Sequence, residues 1–178
     1  MRLFLGLGLP ERITERLQAL QAGLGNVRWV KPHNMHITLR FFGEVEGPAA
    51  EDLHHALGAL SAPAFALTLE GAGHFGSNRQ VRAVWAGVQP QPALDHLQAK
   101  CERLAQMTGF APETRKFTPH VTLAWTKGAR GLRLGPWLEG AQGLLTERFD
   151  VSEMTLYRSH LSASGADYEV LETYPLSS

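Results

Sequence analysis

The 178-residue chain has one cysteine, Cys101, which excludes disulfide frameworks and cysteine-rich zinc sites. Within a helical pattern of leucines that thiol reads as a small buried hydrophobe. Net charge is also lacking: 17 Lys+Arg stand against 17 Asp+Glu, and cutting the chain at residue 89 gives 8 against 7 and then 9 against 10. A broad electrostatic coat for duplex nucleic acid is therefore absent, so a nucleic acid would have to be held by a few basic residues at a site. No apolar run approaches the ~18 residues of a membrane span. There is no P-loop, G-x-S-x-G or H-E-x-x-H pattern, which removes the usual sequence support for ATP-driven chemistry, serine hydrolysis and zinc proteolysis. What remains is a chain 44% hydrophobic and only 19% charged, the composition of a soluble cytoplasmic globule.

Leu3 to Leu9 reads as a buried strand rather than a secretory leader, because it runs through Pro10 into an amphipathic helix carrying Ile13, Leu17, Leu20 and Leu24. Pro48 opens a second helix with Leu53, Leu57 and Leu60 on one face, and Leu94, Leu97, Cys101 and Leu104 mark a third. Strands are expected at Phe65 to Leu69 and Val81 to Val88, with Gly71 to Asn78 as the loop between them. Arg148 to Tyr157 and Tyr168 to Tyr174 form a closing pair, and Gly128 to Gly143 holds at most a short helix. Without steady βα alternation, these elements predict an α+β fold.

Two stretches concentrate the chemistry: His36-Ile37-Thr38-Leu39 and His120-Val121-Thr122-Leu123. In each, a histidine and a threonine two residues apart share one face of a strand, while aliphatics point to the core. With 8 histidines among 178 residues, chance supplies roughly 0.5 such triplets, so the pattern alone decides little. The matched aliphatic framing is more telling. Two imidazoles and two hydroxyls converging on one volume would provide an acid, a base and two hydrogen-bond donors, which suits phosphoryl transfer.

Other motifs are weaker. Gly71-Ala72-Gly73-His74-Phe75-Gly76 satisfies G-x-G-x-x-G with Asp95 downstream, but a strand follows where a dinucleotide-binding fold needs a helix. His33 and His36 would face opposite sides of a strand, and His54 and His55 sit on a helix facing solvent, so neither pair makes a metal site. His74, His96 and His160 read as surface or loop residues.

With these residues in place, the chain resembles the 2H phosphoesterase superfamily, and within it the RNA 2′,3′-cyclic phosphodiesterases, also called 2′-5′ RNA ligases. The likeness runs from Arg2-Leu3-Phe4 through Asn34 to Val45, Phe75-Gly76-Ser77, Val84-Trp85 and Arg115 to Ala124, to Leu156-Tyr157 and Tyr168 to Leu171. It implies a single bilobal domain over residues 1–178, with two similar lobes related by a pseudo-two-fold axis and mainly antiparallel sheets lining a groove. His36 would be the proton donor and His120 the proton acceptor, on facing strands. Thr38 and Thr122 would hold phosphate oxygens, and Arg115, Arg40 and Phe4 would contact substrate. No metal or cofactor is implied. The partner would be RNA or nucleotides ending in a 2′,3′-cyclic phosphate, met by a monomer. Joining of RNA halves through a 2′-5′ linkage, or binding of RNA ends without turnover, stand as alternatives. The chain departs from the family where an arginine often follows the second motif: it has Ala124-Trp125-Thr126-Lys127, and Arg115, Arg40 or Lys127 could supply the charge. His33 and His160 also stand where other residues are common.

Overall fold

The computed structural model describes residues 1–77, 79–126 and 133–177. In chain order these form β1 (Arg2–Gly8), α1 (Glu11–Gln18), β2 (Arg28–Trp29), a 3-10 turn (Pro32–Asn34), β3 (His36–Glu44), α2 (Gly47–Ala59), β4 (Phe65–Leu67), β5 (Leu69–Ser77), β6 (Gln80–Val88) and α3 (Pro92–Met107). They continue with β7 (His120–Trp125), α4 (Leu134–Ala141), β8 (Phe149–Val151), β9 (Glu153–Ser162) and β10 (Gly165–Pro175). The main sheet has the order β10-β9-β1-β3-β7-β6-β5, with β2 paired to β7, and β4 and β8 make a small second sheet. All these pairings are antiparallel.

The helices close one side of the sheet. Ile13 and Leu17 of α1, Leu53 and Leu57 of α2, Leu94, Leu97 and Cys101 of α3, and Leu134 and Trp137 of α4 join one core cluster with Ile37, Leu39, Val121 and Leu123. Their spacing of three and four residues gives each helix a single apolar stripe, and the sheet supplies the apolar surface that the stripe covers. Burial pushes the Cys101 thiol up to about 12, as fits a packed, unreactive side chain.

The α+β class is as expected, but the two motif strands do not face each other across a groove. They are neighbours in one sheet, β3 against β7, paired at Ile37↔Val121. Pairing the two halves there leaves neither motif strand as an exposed edge.

Three local readings are corrected. Gly71 to Ser77 is strand, not loop, and the hairpin tip is confined to the residues between Ser77 and Gln80. Its glycines serve close approach: a Cβ on Gly73 would lie 2.4 Å from the Trp85 ring, so the indole can lie on the strand only because Gly73 has no side chain. Helix α1 stops at Gln18, short of Leu20 and Leu24. There Gln21 donates to the carbonyls of Val30 and Leu123, and Trp137 donates to that of Leu20, so long-range bonds replace the helical ladder. His54 does not face solvent alone; its Nδ1 lies 2.8 Å from the Tyr174 hydroxyl.

Candidate active site

Antiparallel register through Ile37↔Val121 sets His36 across from Thr122 and Thr38 across from His120. The four polar residues of the motifs therefore form one quartet in the middle of the sheet, on the face opposite the core aliphatics. All four are half-buried, open enough to meet a ligand and enclosed enough to have lost part of their hydration.

Each imidazole is held in the same way. The Nδ1–H of His36 donates to the Asn34 carbonyl at 2.8 Å, and the Nδ1–H of His120 donates to the Thr118 carbonyl at 2.6 Å. A carbonyl can only accept, so the bond assigns the proton to Nδ1 and leaves each neutral ring a lone pair on Nε2. In His36 that Nε2 is 2.8 Å from Thr38 Oγ1, whose hydroxyl donates to it.

The carbonyl partners are fixed by different means. Asn34 is only 6% exposed. Its side chain donates to the Ala166 carbonyl at 3.2 Å and accepts from the Tyr168 amide at 3.2 Å, which fastens the turn before β3 to β10. Outside this clamp, His33 Nε2 bonds Asp167 Oδ1 at 3.0 Å. Thr118, by contrast, precedes Pro119, which confines it to extended backbone.

Aromatic rings surround both imidazoles. Phe4, Tyr168 and Tyr157 lie 4.7, 5.2 and 5.6 Å from His36 between ring centroids, while Phe75 and Trp85 lie 4.8 and 5.9 Å from His120. Gly6 makes room on the His36 side: a Cβ there would come within 2.8 Å of the Ile37 carbonyl and 3.3 Å of the imidazole. Burial dominates the titration of both rings. It brings His36 down to about 4, against the pull of the Asn34 carbonyl and helped by the charge of His120. His120 is also lowered by burial, opposed by the Thr118 carbonyl. Both rings are therefore neutral near pH 7 in the free protein.

Next to His120 and Thr38 opens a cavity of about 580 Å³, bordered by Phe41, Phe75, Phe117 and Trp125 and by the cations Arg82, Arg115 and Lys116. Arg115, expected at the substrate, is exposed here with its Nε 3.4 Å from Glu113 Oε1. Lys127 lies outside the described residues.

Two expected substrate contacts have side chains engaged within the protein. Strict alternation would set Arg40 beside His36 and Thr38, but β3 bulges at Leu39: Gly6 pairs with Thr38 and Leu5 with Arg40. One extra residue reverses the alternation. Arg40 is 7% exposed and its Nε donates to Glu102 of α3 at 2.7 Å, with further bonds to the carbonyls of Phe41 and Ala111. It braces the sheet to a helix, at the border of the same cavity. Phe4, 2% exposed, stacks behind the imidazole with Tyr157 at 4.9 Å and has no surface to offer a ligand. Asn34, Tyr157 and Tyr168 on one side and Trp85 on the other lie in the stretches that carry the resemblance but had been given no role at the site. Among the described residues no group of three or more His, Cys, Asp or Glu is gathered to hold a metal.

Two imidazoles, each with Nδ1 held by a carbonyl, flanked by hydroxyls beside an open cavity, are an arrangement suited to acid–base chemistry on a phosphoester. The chain belongs to the 2′-5′ RNA ligase superfamily, whose family model matches residues 9–163. It is 32% identical to the RNA 2′,3′-cyclic phosphodiesterase of Methanothermobacter thermautotrophicus, over 99% of both chains. It is 36% identical to that of Aeropyrum pernix, over 82% of this chain and 84% of the relative. Among solved structures it superimposes on a Thermus thermophilus protein with a TM-score of 0.83 at 28% identity, covering 98% of this chain and 97% of that one. Escherichia coli LigT complexed with 3′-AMP gives 0.81 at 28% identity, over 99% and 98%.

Proposed function

We propose that the protein is an RNA 2′,3′-cyclic phosphodiesterase that opens terminal 2′,3′-cyclic phosphates to 2′-phosphomonoesters. The observation that carries this reading is the matched pair of imidazoles on adjoining central strands, each with Nδ1 pinned to a carbonyl two residues earlier, so that each neutral ring keeps its lone pair on Nε2. The relatives named above support it.

In this reading His120 Nε2 takes a proton from water, whose oxygen attacks phosphorus. The bond from phosphorus to the 3′-oxygen breaks, and His36 Nε2–H protonates that oxygen, leaving a 2′-phosphate and a 3′-hydroxyl. His36 must be an imidazolium at that moment, although burial disfavours its charge in the free protein. The anionic phosphodiester beside it favours protonation on binding. Thr38 Oγ1, already at hydrogen-bond distance from His36 Nε2, and Thr122 donate to the non-bridging oxygens. Arg115 contributes positive charge from the cavity wall. The chain acts as one domain whose halves are related by a pseudo-two-fold axis through Ile37 and Val121, as a cytoplasmic monomer needing no metal.

The test is turnover of a cyclic-ended oligonucleotide in EDTA with the product identified. A 2′-phosphate formed by the intact protein and lost in His36→Ala and His120→Ala is expected. A 3′-phosphate, dependence on metal, or full activity in both variants would refute the reading. The same acid–base pair run backwards would join a cyclic end to a 5′-hydroxyl. Water at about 55 M competes unless both ends are held together, so joining is expected to be the minor reaction.

A further inference from the structure

Between α3 and β7 the chain runs from Ala111 to Pro119 without helix or strand. It is a polar stretch, in which Glu113, Thr114, Arg115, Lys116 and Thr118 stand beside one large apolar side chain, Phe117. A segment that buries so little apolar surface depends on polar bonds for its order. Ahead of the Thr118 carbonyl, the hydrogen bonds that tie it to the rest of the protein converge, among the described residues, on one ion pair. Arg40 Nη2 donates to the Ala111 carbonyl, and the Glu113 amide donates to Glu102 Oε1 at 3.3 Å.

Glu102 is the hub. Its carboxylate accepts from both prongs of the Arg40 guanidinium, Nε at 2.7 Å and Nη2 at 3.4 Å, and from Gln106 one turn along α3 at 3.0 Å. A largely buried ion pair adds little net stability over apolar side chains of similar volume, whereas its fork geometry fixes direction. That direction is passed along the loop. The carboxylate of Glu113, whose amide rests on Glu102, accepts from the Arg115 amide at 3.0 Å and from Arg115 Nε at 3.4 Å. Arg115, Lys116 and Thr118 border the cavity, and the Thr118 carbonyl accepts from His120 Nδ1–H at 2.6 Å. One ion pair therefore stands behind both the cations of the cavity wall and the tautomer of His120.

We propose that Glu102 is a positioning residue: held by Arg40, it sets the loop that brings Arg115 to the substrate phosphate and the Thr118 carbonyl to His120. It acts on one half of the site only, because the carbonyl that holds His36 belongs to Asn34. This rests on the reading of the quartet as a site for cyclic-ended RNA.

Removing one charge strands the other and threatens the fold, so the test replaces both. Arg40→Met combined with Glu102→Leu puts apolar side chains of similar volume in place of the pair, and the melting temperature is expected to stay close to that of the wild type. KM for a cyclic-ended dinucleotide should nevertheless rise roughly 5-fold, as a charge-assisted contact from Arg115 is misplaced, with kcat changed less. In an Arg115→Ala background the same double change should leave KM where Arg115→Ala alone puts it, because both act through one contact. ¹⁵N NMR should show the neutral His120 ring losing its single Nδ1–H tautomer while His36 keeps its own. Glu102→Gln, which retains an acceptor for the Glu113 amide, gives the same readings at smaller amplitude should the double variant melt below the assay temperature. A wild-type KM, an unchanged His120 tautomer, or KM losses that multiply with that of Arg115→Ala would overturn the positioning role. Binding of a 2′-phosphorylated mononucleotide is measured in parallel. Binding weakened by the double change, with no turnover in any form of the protein, would count against the phosphodiesterase reading alone, and unweakened binding would overturn the role of Glu102.

Discussion

The two halves of the site carry the same motif in unlike surroundings. His36 is walled in by Phe4, Tyr157 and Tyr168, its Nε2 is met by Thr38, and its carbonyl partner belongs to a residue clamped onto β10. His120 has Phe75 and Trp85 for neighbours but stands on the wall of the open cavity, and its carbonyl partner is held next to a proline. One sequence pattern therefore yields a closed, strongly desolvated imidazole and an open one. An acid and a base need such a difference, because identical rings in identical settings would compete for the same proton state. The open side also leaves room for the body of a substrate.

The comparison breaks most severely if either imidazole is removed. Alanine at His36 or His120 should each lower kcat by about 10²- to 10⁴-fold on a cyclic-ended substrate, read by steady-state kinetics. Next come the hydroxyls. Thr38→Ala and Thr122→Ala each remove one donor to the phosphoryl oxygens and should cost about 10²-fold in kcat, with Thr38→Ser recovering much of it.

Arg40→Ala should separate bracing from catalysis. It strands Glu102, whose carboxyl is raised by burial but brought below its ordinary range by hydrogen bonds from Arg40 and Gln106 and by the Arg40 charge. Loss of about 3 kcal/mol or more in chemical denaturation is expected, with kcat/KM at 25 °C changed far less than in the threonine variants.

Asn34→Ala sharpens the contrast. It frees the turn whose carbonyl fixes the His36 tautomer while leaving His120 alone. A drop in kcat of about 10-fold is expected, along with a displaced alkaline limb of the pH profile, the limb that His36 controls as the acid. Loss of stability alone, without a change in the profile, would make Asn34 merely structural.

The pH dependence has a definite sign. The base must be unprotonated and is lost as pH falls below its pKa, whereas the acid must be protonated and is lost as pH rises above its own. Both rings titrate below the ordinary 6.5 in the free protein, so the bell in kcat/KM should have both limbs below about pH 6.5. The bell in kcat should lie at higher pH, because bound phosphate favours the imidazolium.

Much of this site was legible because strands have a period of two. That period alone assigns His36, Thr38, His120 and Thr122 to one face each, and Ile37, Leu39, Val121 and Leu123 to the other. It fails where the period fails. Arg40 was named as a source of the charge that the family's arginine supplies; strict alternation would agree, but the bulge at Leu39 reverses it, and no local signal marks a bulge at a leucine. Phe4 was recognisable as part of the family pattern, but its place behind the ring depends on Tyr157 and Tyr168, which are remote in sequence. The Asn34 clamp spans about 130 residues to β10 and has no local signature at all. A glycine-rich stretch read as loop proved to be strand because Trp85 needed the space of the missing Cβ at Gly73.

The central claim is that one split site holds two imidazoles in the same tautomer with unequal titration. ¹⁵N NMR of the ring nitrogens through a pH titration of the free protein tests it directly. The account predicts the Nδ1–H tautomer for both neutral rings, coupled titrations, and His36 taking up its proton at lower pH than His120, near 4. An Nε2–H tautomer in either ring, or His36 titrating at or above the ordinary 6.5, would contradict it.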